Sequence, residues 1–178
     1  MREYQNTPIE EGHIFQPEWI QWKRLPALKH YRKIVAYFDP SFSSKGTADY
    51  KAVSVWGLWR EELHHIDCFV RKCPIGEAVK FMYDYYKETQ GKAVVDFWME
   101  RQFYNEPFKQ SVQAEGKKRG YRLPLRFDER KKGNKEQRIE SMAALYEQGI
   151  VYWNETKRNN SDMQSAYDQL LAFGPGSR

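Results

Sequence analysis

Residues 33–39, KIVAYFD, form an almost unbroken apolar run that closes on an acid. Ile34 and Val35 are β-branched, and Tyr37 and Phe38 are aromatic. The run is too short for a globular helix, so it reads as a strand. Apolar on both faces, it suits a central strand, with Asp39 at its C-terminal tip. A second stretch, residues 93–100, AVVDFWME, ends the same way on Glu100.

The flanking sequence supplies the other elements. Residues 40–50 are a polar loop. Residues 52–59 and 63–70 are β-rich runs joined by the turn Arg60-Glu61-Glu62, which makes an antiparallel meander with the first strand. Pro74 opens a helix carrying Ile75, Ala78, Val79, Met82, Tyr85 and Tyr86 at helical spacing, and Gly91 stops it. Tyr83, Tyr85 and Tyr86 read as core plus surface rather than a base-stacking platform. After the strand at 93–100, Asn105-Glu106-Pro107 starts a second helix. Residues 121–127 form a strand interrupted by Pro124, which suits an edge. Asn134 and Gln137 have capping-box spacing and open a helix expected to bury Ile139, Met142, Ala143 and Tyr146. Residues 150–153 are a short strand. Ser161 and Gln164 form a second capping box for a last helix with Met163, Ala166, Tyr167, Leu170 and Leu171 on one stripe.

The order is β-β-β-α-β-α-β-α-β-α. It predicts an α/β, ribonuclease-H-like fold: a mixed central sheet, three antiparallel strands then parallel ones, with helices on both faces. Residues 1–31 hold Pro8, Pro17 and Pro26 and no sustained period. They read as an N-terminal arm, with a short helix over residues 17–23, before a domain at 32–178.

Of the 178 residues, 40% are hydrophobic and 16% aromatic, which excludes a disordered chain. No apolar run approaches the roughly 20 residues of a membrane span, and the N-terminus lacks the apolar core of a signal peptide. Cys68 and Cys73 form no zinc pattern, and neighbouring His64 and His65 point to opposite faces of any strand. Phosphate-loop, nucleophile-elbow and H-E-x-x-H motifs are absent. The four histidines show no triad partners. The net charge of +5 is concentrated: residues 109–138 hold 11 Lys/Arg against 4 Asp/Glu, leaving the rest about −2. Such a segment attracts a polyanion such as nucleic acid; as a plain surface loop it would only add solubility.

Two acids at the tips of neighbouring parallel strands would converge on one end of the sheet. Paired carboxylates there suit Mg²⁺ or Mn²⁺. Two such ions can activate water and stabilise the charge of a phosphoryl displacement. Alone, Asp39 is also a good turn starter before Pro40, and Glu100 a plain strand-end acid. Together, with apolar strands behind them and a basic segment after them, they read as metal ligands. Asp49 is either a further acid near the metals or a cap on the next strand. Asp96 shares a face with Glu100 and is a weaker candidate.

At these residues the sequence resembles the C-terminal nuclease domain of the terminase large subunit of tailed phages and prophages. REYQNTPIEEGHIF (2–15) looks like the connector after that family's ATPase domain. YFDPSFSSKGTADYKAVSVWG (37–57) looks like its first acidic motif, with Asp39 as ligand, and VVDFWMERQFYN (94–105) like its second, with Glu100. NKEQRIESMAALYEQGIVYW (134–153) is similar to a K-x-x-R-I segment, with Lys135 and Arg138 as basic members. DQLLAFGPGSR (168–178) looks like the approach to a third acidic motif, which the sequence does not reach; Asp162 and Asp168 do not match it.

The resemblance implies a divalent-metal-dependent endonuclease that cuts concatemeric double-stranded DNA during packaging, weak or inactive without the third motif, with Mg²⁺ or Mn²⁺, two ions in the intact protein. Lys117, Lys118, Arg119, Arg130, Lys131, Lys132, Lys135 and Arg138 would bind the DNA backbone. Partners would be an ATPase domain, the portal and the small terminase subunit, in the cytoplasm of a bacterial host. The alternative is a catalytically incomplete module that grips DNA or docks on the portal. A junction resolvase or integrase would share the fold but lack the arm and the 134–153 segment.

Overall fold

The computed structural model describes residues 14–40, 50–130 and 132–174. Asp49, Lys131, most of the 2–15 connector, nearly all of the loop after Asp39 and the last residues of the 168–178 segment lie outside them.

Seven strands make one sheet: β1 (Gln21–Lys23), β2 (Lys33–Pro40), β3 (Tyr50–Trp59), β4 (Glu62–Lys72), β5 (Val95–Glu100), β6 (Leu125–Asp128) and β7 (Val151–Asn154). Their spatial order is β1-β7-β4-β3-β2-β5-β6. The meander β2-β3-β4 is antiparallel, and every other pairing is parallel. Among the described strands only β3 therefore runs against the rest, and the C-terminal ends of β2, β5 and β6 lie side by side.

Four helices cover the sheet: α1 (Ile75–Thr89), α2 (Glu106–Arg119), α3 (Lys135–Glu147) and α4 (Ser161–Leu171). α1 and α2 lie on one face, over Ile34, Phe38, Val53, Phe97 and Met99, where Phe108 stacks on Phe38 at 5.3 Å. α3 and α4 lie on the other, with Cys68, Val70, Tyr146, Trp153 and Met163. Both cysteines are free and buried, and Tyr83 and Tyr85 are core.

Several expectations change. β2 is not buried on both faces. Ile34, Ala36 and Phe38 are buried, whereas Val35 and Tyr37 are half-buried and Asp39 exposed, because the second helical layer does not close over this end of the sheet. The helix expected over residues 17–23 is a single 3-10 turn, Pro17–Trp19, followed by β1, which pairs with β7. Phe15 and Ile20 are buried beside it. The cap of α4 is Asn160, not Ser161; its side chain accepts from Asp162 N and Met163 N. Asn134 caps α3 by accepting from Glu136 N. Met142 is 39% exposed and Ile139 only partly buried, so the buried stripe of α3 reduces to Ala143 and Tyr146.

One close approach fixes segment 14–31 to the sheet. A Cβ on Gly57 would lie 2.5 Å from Tyr31 Cδ1 and 2.7 Å from Ile66 Cδ1. Tyr31 packs over that bare backbone and hydrogen-bonds His64 Nδ1 at 2.8 Å. His64 Nε2 meets Glu62 Oε2 at 2.7 Å, and Lys23 of β1 pairs with the same oxygen.

Candidate active site

The paired acids sit where strand geometry puts them. β2 and β5 are in parallel register from Ile34↔Val95 to Phe38↔Met99, so the next residues, Asp39 and Glu100, are neighbours at the two strand tips. Both project to the half-open face by strand alternation. Protein atoms crowding the exposed tip raise the pKa of Asp39, and the Glu100 carboxylate raises it further, while Lys132 and Lys135 pull it down. Two carboxylates and two ammonium groups thus act on one another at this rim.

β6 brings a third acid that the sequence reading passed over. Asp128 pairs in register with Glu100 and projects to the same face. The signal was present: LPLRFD is a third apolar-leaning strand that ends on an acid, but the expected strand stopped one residue early at Phe127. Asp128 is closed off from solvent by its immediate neighbours even though it lies at the molecular periphery. Its carboxylate accepts from Arg130 Nε at 2.9 Å, Arg130 Nη2 at 3.0 Å and Arg130 N at 3.2 Å. Those bonds to Arg130 hold its pKa down at about 2. Lys132 Nζ bonds Glu100 Oε1 and, at 3.0 Å, Tyr37 OH. Burial works against the Lys132 charge, but these bonds prevail and raise its pKa. Gln102 donates to the other oxygen of Glu100.

A hard divalent cation calls for oxygen donors. Asp39 and Glu100 supply oxygen donors of the right kind, and Mg²⁺ commonly takes only one or two carboxylates, completing its shell with water and substrate phosphate. Among the described residues, no group of three or more His, Cys, Asp or Glu converges as a metal cluster. Asp96 lies further down the strand, opposite Val35, and pairs with Arg126 at 3.3 Å.

The basic residues divide between two ends of the molecule. Arg130, Lys132, Lys135 and Arg138 follow the tip of β6 and stay at the acid rim or on α3. α2 starts beside the tip of β5 and returns roughly 20 Å along the sheet, so Lys117 and Lys118 lie at the opposite end, where β6 begins. Both are exposed. Arg119 is committed internally, to Asp84 at 2.7 Å and to Glu115. The histidines also acquire partners the sequence did not reveal. His64 sits between Tyr31 and Glu62, while His65 is buried against Trp56 and Trp153, with neither ring nitrogen bonded among the described residues.

A mixed sheet with this strand order, helices on both faces and acids at adjacent strand tips is a ribonuclease-H-like fold, the fold of terminase nuclease domains. The human cytomegalovirus terminase nuclease domain aligns with 92% of this chain and 88% of its own, at 12% identity and a TM-score of 0.55. The phage P22 large terminase nuclease domain aligns with 88% of this chain and 76% of its own, at 13% identity and TM-score 0.54. The large terminase of a thermophilic bacteriophage, solved with ADP, aligns with 94% of this chain at 11% identity and TM-score 0.53, and the chain spans only 42% of that protein's length. A cytomegalovirus domain soaked with Mn and bound to an inhibitor aligns at TM-score 0.53. Neither a family model nor a curated protein sequence matches the chain. Among the described residues no helix is long and apolar enough to cross a membrane.

Proposed function

We propose that the chain is the nuclease domain of a viral DNA-packaging terminase: a divalent-metal-dependent endonuclease that cleaves concatemeric double-stranded DNA. The observation that carries this reading is the adjacency of Asp39 and Glu100 at parallel strand tips, on an open face, within reach of Lys132 and Lys135. Solved domains of the same fold come from terminases.

Asp39 and Glu100 would hold Mg²⁺ or Mn²⁺, which would supply an activated water and neutralise charge developing on the phosphoryl and leaving oxygens. The protein's own groups do the rest. The strand tips fix both carboxylates on rigid backbone. Lys132 would have to yield Glu100 to such an ion, and its bond to Tyr37 OH would keep the ammonium nearby. Lys135 and Arg138 meet backbone phosphates, which positions a duplex without reading its bases. Lys117 and Lys118 are too far away to act on the same phosphate and would touch DNA only as it leaves the site. In the whole protein the partners would be an ATPase domain, the portal and the small subunit.

A second reading has its own support. Glu100 and Asp128 already carry internal cations, as expected of a domain that only grips DNA. Plasmid nicking with Mn²⁺ separates the two. The nuclease reading expects nicking that Asp39→Asn and Glu100→Gln each reduce by roughly a hundredfold or more. Salt-sensitive DNA binding with no nicking, or nicking indifferent to both substitutions, leaves the binding module.

A further inference from the structure

We propose that Asp128 is a positioning residue that holds the Arg130 guanidinium at the acid rim as a clamp for one phosphodiester of duplex DNA. The inference rests on the nuclease reading above and deepens it by naming the cation that meets the backbone and the group that aims it.

The ion pair is lopsided. The Asp128 side chain is 3% exposed and that of Arg130 85%. A buried carboxylate must be satisfied, and Asp128 is satisfied by a two-pronged bond from the guanidinium plus the backbone N–H of Arg130, an Asx-type turn. An arginine on the surface ordinarily samples many rotamers and loses that freedom when it binds. Here the fork is already fixed. Nε–H and one Nη2–H face Asp128, and the Nη1 hydrogens with the second Nη2–H remain for another acceptor. That is the planar pattern that suits a phosphate.

Placement supplies the second argument. Asp128 stands in register with Glu100, so Arg130, Glu100 and Lys132 line one depression of about 530 Å³. A phosphate on Arg130 would lie beside the Asp39–Glu100 pair. Glu129, between the two members of the clamp, lines the same depression; it is exposed, so water and salt screen its charge where a phosphate would dock.

The test turns on a sign. Removing a carboxylate beside DNA should by plain charge strengthen binding. Loss of a positioning group should weaken it. Binding of a short fluorescein-labelled duplex is followed by anisotropy in EDTA over a series of salt concentrations. Asp128→Asn is expected to weaken binding roughly three- to tenfold, but in an Arg130→Gln background, where only its charge counts, to leave binding unweakened or tighter. Arg130→Gln should lower the salt slope by about one. Arg130→Lys keeps the charge but loses the fork, and should weaken binding with the slope retained. Since Arg130 is exposed, that variant keeps the test open if Asp128→Asn melts early. Tighter binding by Asp128→Asn, equal loss in both backgrounds, or an Arg130→Lys variant that binds like the unchanged chain would each overturn the clamp alone. An unchanged chain that does not bind DNA overturns the nuclease reading and the clamp with it.

Discussion

Glu100 and Asp128 stand side by side in register on β5 and β6, and each is paired with a cation that follows β6 in the chain, Lys132 for Glu100 and Arg130 for Asp128. The two pairs are unequal. The Asp128 carboxylate is enclosed and held by two prongs of a guanidinium, whereas the Lys132 contact is a point charge on a flexible stem. Lys132 is therefore the cation that can yield.

It follows that Lys132 competes with a divalent ion for Glu100. Lys132→Met should tighten Mn²⁺ binding by about 1 kcal/mol, roughly fivefold, as expected for loss of a partly exposed pair. Titration calorimetry with Mn²⁺ alone reads this without any cleavage step. Unchanged affinity would mean that Lys132 and the ion do not share a site.

The division of the basic segment makes a second prediction. Lys135→Ala and Arg138→Ala should each weaken duplex binding and lower plasmid nicking together, since both act near the acids. Lys117→Ala with Lys118→Ala should flatten the salt slope of binding by about two while nicking at saturating DNA stays the same. If the α2 pair reduced nicking at saturation, the two ends of the sheet would be engaged in one reaction.

What the sequence disclosed, and what it hid, follows from scale. Asp39 and Glu100 were legible because each ends a long apolar run, and such runs are visible without knowing their neighbours. The edge strand β1 was not: QWK is too short to show alternation, and it is a strand only because β7 supplies a partner. Asn160 and Ser161 are both good caps, and only the extended backbone at Asn160 decides between them. Met142 shares the helical period of Ala143 and Tyr146 loosely enough to look buried, but it stands about 100° round the helix from Ala143 and stays exposed. Asp128 is hidden because Pro124 interrupts the alternation of residues 121–127, and a strand of four residues does not mark its own last position. The split of the basic cluster could not be read at all, since charge density along a chain does not say which helix turns back.

Gly57 offers a test of how segment 14–31 is held. Its backbone dihedrals are ordinary, so alanine there is penalised only by contact with Tyr31 and Ile66. Gly57→Ala should cost about 1–3 kcal/mol in urea unfolding by displacing the Tyr31 ring and its bond to His64. The cost should fall in a Tyr31→Ala background, as coupling between neighbours requires. Equal costs in both backgrounds would show that Tyr31 does not bear on the glycine.

His65 carries the last prediction, on acid stability. The imidazole lies flat on Trp56, with ring centroids 4.4 Å apart, and edge-on to Trp153 at 4.5 Å. Neither nitrogen has a hydrogen-bond partner among the described residues. Burial pushes its pKa from 6.5 down to about 3. The fold therefore holds the neutral ring, while the unfolded chain takes up a proton below pH 6.5. Stability from this group is complete above pH 6.5 and is lost progressively as the pH falls toward 3, by up to about 1.4 kcal/mol per pH unit. His64, whose pKa is also lowered by burial, adds to the slope, so His65 must be isolated by substitution. His65→Phe keeps a flat ring for Trp56 and removes both unbonded nitrogens. Urea melts of the two chains at a series of pH values between 6.5 and 4.5 should diverge, with the Phe variant gaining as the solution is acidified, by about one proton's worth of slope. Parallel curves would show that His65 stays neutral when the chain unfolds, or is already protonated in the fold.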